Sequence, residues 1–95
     1  MSSAIYKYPL RLEPAQSVWV PSVAMFLHVG LDGNGIICLW YHVETRAEKI
    51  ERRIRILPTG EISIEPDPGA VNAIIGKYLG TVVDAPLVWH IYDAT

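Results

Sequence analysis

Three histidines, at positions 28, 42 and 90, are the side chains of this 95-residue chain best suited to hold a metal or move a proton near neutral pH. Their spacing favours neither. No His-x-His or His-x₃-His pair occurs, and a single cysteine, Cys38, leaves no Cys-x₂-Cys half-site. In the hairpin register argued below, His28 and His42 point to opposite faces of their sheet, which separates them as ligands. Two-histidine phosphodiester chemistry uses one imidazole as base and another as acid, and its signature carries a Ser or Thr two residues after each histidine. Gly30, Glu44 and Tyr92 stand there instead. Ser2, Ser3, Ser17, Ser22 and Ser63 lie in no Gly-x-Ser-x-Gly context. The expectation is a protein that is not an enzyme, with no catalytic residue, no metal and no cofactor.

Phosphate recognition is the next chemistry to weigh. Gly30, Gly33 and Gly35 fall in Gly-Leu-Asp-Gly-Asn-Gly, but a dinucleotide cradle needs a helix N-terminus after its glycines. Ile36-Ile37-Cys38-Leu39-Trp40 follows instead and reads as a strand. Arg46, Lys49, Arg52, Arg53 and Arg55 concentrate much of the positive charge in one short stretch. Glu44, Glu48 and Glu51 dilute that field, so it suits a solvated edge strand better than a groove for extended nucleic acid. Arg52 differs from its neighbours. By alternation it shares a face with Ile54 and Ile56, where a guanidinium needs an acceptor. That acceptor is either an internal carboxylate or an anionic ligand held bidentately.

Tyr6, Tyr8, Trp19, Trp40, Tyr41, Tyr78, Trp89 and Tyr92 stand against a single Phe. Each combines an apolar body with a polar tip, which suits interfaces and ring-stacking pockets as well as a core. The expected ligand-binding set is Arg52, Trp40, Tyr78, Trp89, His90, Thr59, Gly60 and Tyr8. Such a set could stack a ring and hold an anionic group, or equally meet another protein.

These residues must be positioned by strands. Asp32-Gly33-Asn34-Gly35 has the residues of a tight turn between two apolar runs. If Leu31 pairs with Ile36, then Val29 faces Cys38 and Leu27 faces Trp40. Phe26, His28, Gly30, Ile37, Leu39, Tyr41 and Val43 take the other face. A hairpin with one wet face would alternate apolar with charged residues, and this one does not, so both faces need cover. Further strands are expected at 4–8, 17–20, 51–57, 61–64, 78–83 and 87–92, with a loop at 65–69. Residues 70–75 read either as a short helix or as an irregular crossing. The expected fold is all-β, a small antiparallel sandwich or strongly bent sheet of about seven or eight strands.

Ninety-five residues make one domain, and 51% hydrophobic against 19% charged residues is too apolar for disorder. A positive mean hydropathy in so small a domain implies that some apolar side chains end in an interface, so a homo-oligomer is expected. The net charge of −2 supplies no general attraction to nucleic acid. One cysteine excludes an internal disulfide and fits a reducing cytoplasm. The first residues lack the apolar core of a signal peptide, and no run approaches a membrane span, so a cytoplasmic protein without a membrane partner is expected.

Six short motifs carry a resemblance. They are Ile5-Tyr6-Lys7-Tyr8-Pro9-Leu10, Leu27-His28-Val29, Cys38-Leu39-Trp40, Arg52-Arg53-Ile54 followed by Thr59-Gly60, Tyr78-Leu79-Gly80-Thr81 and Leu87-Val88-Trp89-His90. In this order the chain resembles a family of short phage and prophage proteins of unknown function. The resemblance implies a viral or prophage origin and action in a bacterial cytoplasm, and it brings no catalytic residues. The function expected on these grounds is that of a phage accessory binder. It would counteract host defence by sequestering a small nucleotide-like signal or by binding a host protein. The alternatives are a small hydrolase of such a signal and a structural or assembly component of the virion.

Overall fold

Apolar residues at every second position of several segments demand strands that bury one face each. A computed structural model describes residues 2–60 and 76–95 and contains seven strands among them. They are β1 (Ser3–Pro9), β2 (Ala15–Pro21), β3 (Ala24–Leu31), β4 (Ile37–Glu44), β5 (Lys49–Pro58), β6 (Lys77–Asp84) and β7 (Leu87–Asp93). The fold is all-β, as expected. Two antiparallel sheets form, one in the order β1-β4-β3 and one in the order β2-β5-β7-β6. The strand expected at 61–64, the loop at 65–69 and the helix or crossing at 70–75 lie outside the described residues.

The core lies between the sheets. Ile37, Leu39, Tyr41 and Val43 of β4 pack with Val29 of β3 against Val18 and Val20 of β2, Ile54 and Ile56 of β5, Val82 of β6 and Ile91 of β7. Each such side chain contributes roughly 1.5–3 kcal/mol on leaving water. Tyr8 and Phe26 close against Tyr41 edge-on, at centroid separations of 5.8 and 5.4 Å. Ile54 and Ile56 point inward while Arg53 is exposed, so the alternation read from β5 describes its real faces.

The β3–β4 register differs from the expected one near its turn. Leu31 pairs with Ile37, Gly30 with Cys38, Val29 with Leu39 and His28 with Trp40. The turn absorbs Ile36 because the Asp32 carboxylate accepts the N–H groups of Asn34 (2.8 Å) and Ile36 (3.0 Å). The Asp32 N–H then closes on the Ile36 carbonyl at 2.9 Å, and Gly35 takes the φ of +76° that this loop requires. A bulge between Phe26 and His28 restores the expected pairing further out, with Met25 opposite His42. Two corrections follow. Val29 joins the core face of Leu39, and His28 shares the outer face with His42 and Trp40 rather than opposing it.

The outer face of this sheet is only thinly covered. Trp40 lies against His28, with ring centroids 5.7 Å apart, and Ile5 and Met25 flank His42 on either side, both exposed. At the other edge of the sandwich β6 meets β3 closely. A Cβ on Gly80 would lie 2.5 Å from Cγ1 of Val29, so glycine is needed there for space.

Candidate functional site

Ile91 is fully buried, so alternation along β7 turns His90 and Tyr92 to the outer face of the four-stranded sheet. β6 brings two more side chains beside them. Tyr78 and Thr81 are three residues apart and would point to opposite faces of a regular strand. A bulge between Tyr78 and Gly80 shifts the pairing, so that Tyr78 stands opposite Tyr92 and Thr81 opposite His90. From β5, Arg55 stands across from Tyr92 and Leu57 across from His90. Thr59 follows β5 in a turn completed by Gly60 at φ +87°, and its N–H bonds the Val88 carbonyl at 2.9 Å. That bond delivers its hydroxyl to β7.

The result is a row of hydrogen-bonded groups. Thr59 Oγ1 lies 2.6 Å from His90 Nε2, and Thr81 Oγ1 lies 3.0 Å from His90 Nδ1. The Tyr78 hydroxyl bonds Thr81 Oγ1 in turn. A neutral imidazole satisfies this row by donating from one nitrogen and accepting at the other. Beside it, the Tyr78 and Tyr92 rings sit 5.5 Å apart at 58°, with Tyr78 more than half exposed. A groove of about 380 Å³ adjoins Arg55, lined also by Arg53, Ser17, Gln16 and Ala94. Of these, Ser17 donates to Glu51 Oε2 at 2.7 Å, and Arg53 Nε lies 3.5 Å from Glu51 Oε1. The serine hydroxyl, and then Arg53, hold the Glu51 carboxyl below its ordinary range.

Of the residues expected to bind a ligand, Thr59, Gly60, Tyr78 and His90 are brought together here. The others are not. Arg52 and Trp89 share the inward faces of Ile54 and Ile91, Tyr8 packs on Tyr41, and Trp40 lies on the outside of the other sheet. Thr81, Tyr92 and Arg55 stand here too and are not in the expected set. Alternation with His90 and with Arg53 points to Tyr92 and Arg55. Thr81 was hidden by the bulge.

Among the described residues both hydrogen-bond partners of the His90 ring are hydroxyls, and no carboxylate there orients the ring or stabilises an imidazolium as in triad chemistry. Among the described residues no cluster of three or more His, Cys, Asp or Glu is placed to hold a metal ion. What the face offers is two aromatic rings, two guanidinium groups and a line of hydroxyl and imidazole groups. No helix among the described residues is long and apolar enough to cross a membrane.

The whole chain, residues 1–95, matches the family described as a domain of unknown function, DUF7352. It belongs to that family. No curated protein matches the chain, and no solved structure does. In this DUF7352 protein the outer face of β2-β5-β7-β6 is therefore read from its own residues alone.

Proposed function

We propose that this DUF7352 protein is a non-enzymatic binder that captures a small, anionic, nucleotide-like ligand on the outer face of β2-β5-β7-β6. The observation that carries the reading is the Tyr78–Thr81–His90–Thr59 row lying beside Tyr92 and Arg55. The exposed Tyr78 ring and the half-buried Tyr92 ring beside it supply a stacking surface for a base, worth roughly 1–3 kcal/mol per base. Arg55 and Arg53 supply donors for phosphate, and the hydroxyl and imidazole groups meet the polar edge of a ring. The resemblance to phage and prophage proteins supports a finer proposal. The protein acts in a bacterial cytoplasm and counteracts host defence by withholding a nucleotide signal. Self-association is part of the proposal, supported by exposed Ile5 and Met25 on the outer face of β1-β4-β3.

Calorimetric titration with a panel of mono-, di- and cyclic nucleotides tests the reading. One class should bind at a single site, and Tyr78→Leu or Tyr92→Leu should weaken it about tenfold or more. The ligand should return intact when the complex is denatured. His90→Asn keeps a hydrogen-bond donor and removes acid–base capacity, so it should retain most of the binding, and a chelator should leave the wild type unchanged. Binding by no member of the panel overturns the proposal. Turnover that vanishes in His90→Asn would make the protein a hydrolase, and recovery in purified particles a virion component.

A further inference from the structure

Away from that face, a cavity of about 130 Å³ lies between the sheets, lined by Phe26 and Tyr41 from one and Arg52, Lys77, Leu79 and Asp93 from the other. Its charges do not balance. The Asp93 carboxylate is already committed, with Oδ1 accepting the Thr95 N–H at 2.9 Å and Oδ2 facing Arg52 Nη1 at 3.5 Å. For a guanidinium with five N–H donors, that is one long, single-pronged contact. The Arg52 Nε–H is buried with no acceptor among the described residues. Lys77, the first residue of β6, adds a second cation to the rim and makes no ion pair among the described residues. The Tyr41 hydroxyl is kept protonated by burial, and then by the Asp93 carboxylate, so it is also available as a donor.

Two cations, one occupied carboxylate and a phenol therefore surround a space with room for a tetrahedral or planar oxyanion. A buried donor without an acceptor costs free energy until something accepts from it. Water can accept, but it leaves the excess positive charge in place. A partly desolvated guanidinium fork is the group that best matches a carboxylate or phosphate. We propose that this cavity is a subsite for a single oxyanion group, phosphate or carboxylate, of a small ligand. It is separate from the stacking face, and neither reading needs the other.

Inorganic phosphate and acetate, titrated separately into the isotope-labelled chain at low ionic strength, test the proposal by nuclear magnetic resonance. At least one should give saturable shifts, in the millimolar range, of the Arg52 Nε–H and of the amides of Ala24, Lys77 and Leu79. The tighter of the two names the oxyanion. Arg52→Gln should weaken binding about tenfold or more. Lys77→Gln, at an exposed strand start where the fold is not at stake, should weaken it severalfold, and Arg46→Gln, at an exposed position outside both sites, should not. Shifts that never saturate, that survive Lys77→Gln undiminished, or that are confined to Arg53 and Tyr92 would overturn the subsite and leave water in the cavity. If Arg52→Gln fails to fold, Lys77→Gln decides alone.

Discussion

Gly80→Ala is the substitution whose cost the geometry defines most directly. A Cβ at this position lies 2.5 Å from Val29 Cγ1, about 0.9 Å short of the 3.4 Å at which ordinary contact begins. The φ of Gly80 is not positive, so the backbone tolerates alanine and the whole effect is steric. Val29 has little room to yield. It is a stiff β-branched side chain, only 6% exposed and packed in the core, so β6 has to move away from β3. Overpacking of this kind costs about 1–3 kcal/mol. For a domain of this size, each kcal/mol lowers Tm by roughly 4–8 °C, so a fall on the order of 10 °C is expected. Urea and thermal unfolding followed by tryptophan fluorescence measure it. Val29→Ala alone should cost about 1–3 kcal/mol for the cavity it leaves. The double substitution should cost less than the two added, with a coupling of about 1 kcal/mol, because the removed Cγ1 makes room for the new Cβ. Gly80 also lies between Tyr78 and Thr81, so the single variant should weaken the nucleotide-like ligand and the double variant should recover part of that loss. A Gly80→Ala protein within about 0.5 kcal/mol of wild type, or strict additivity with Val29→Ala, would refute the reasoning.

Three further outcomes follow from the same structure. Arg52→Ala should destabilise the fold by about 1–2 kcal/mol, because it strands the 11%-exposed Asp93 carboxylate, whereas Arg53→Ala, with its side chain 71% exposed, should change urea stability by less than about 0.5 kcal/mol. The Asp32 carboxyl is held at about 2, below its ordinary 3.8, by the N–H groups of Ile36 and Asn34 and by Lys7 at 3.1 Å. Its contribution is therefore present above pH 3.8 and lost as pH falls towards 2; Asp32→Asn should lower stability at neutral pH and flatten that acid limb, as read by Tm against pH. Met25→Lys or Ile5→Lys should reduce the molar mass found by light scattering at micromolar concentration, and a wild type that is already monomeric there would remove self-association from the proposal.

Much of the fold was legible because it rests on local pattern. Period-two burial marked β5 and β7, turn residues marked the hairpins, and the isolation of Arg52 among isoleucines correctly placed a guanidinium on the inner face, where Asp93 meets it. The site was legible only in part. Thr59, Gly60, Tyr78 and His90 do gather, but Trp40, Tyr8, Trp89 and Arg52 carry similar chemistry to three other places. Residue type alone does not say which face of which sheet a ring occupies.

The chain by itself determined that strands form, roughly where they run, and that β5 turns its isoleucines inward, since side-chain alternation follows from backbone pleating with no reference to distant residues. Only the tertiary structure decided register and bulges. A one-residue slip moves side chains to the other face, and its cost depends on what each face meets across the sandwich. The turn closed by Asp32 and the bulge before His28 moved that histidine outward beside Trp40. The bulge after Tyr78 put Tyr78 and Thr81 on one face with His90. The space that Gly80 leaves for Val29 was set by strands far apart in sequence, and so was the balance of charge around Arg52.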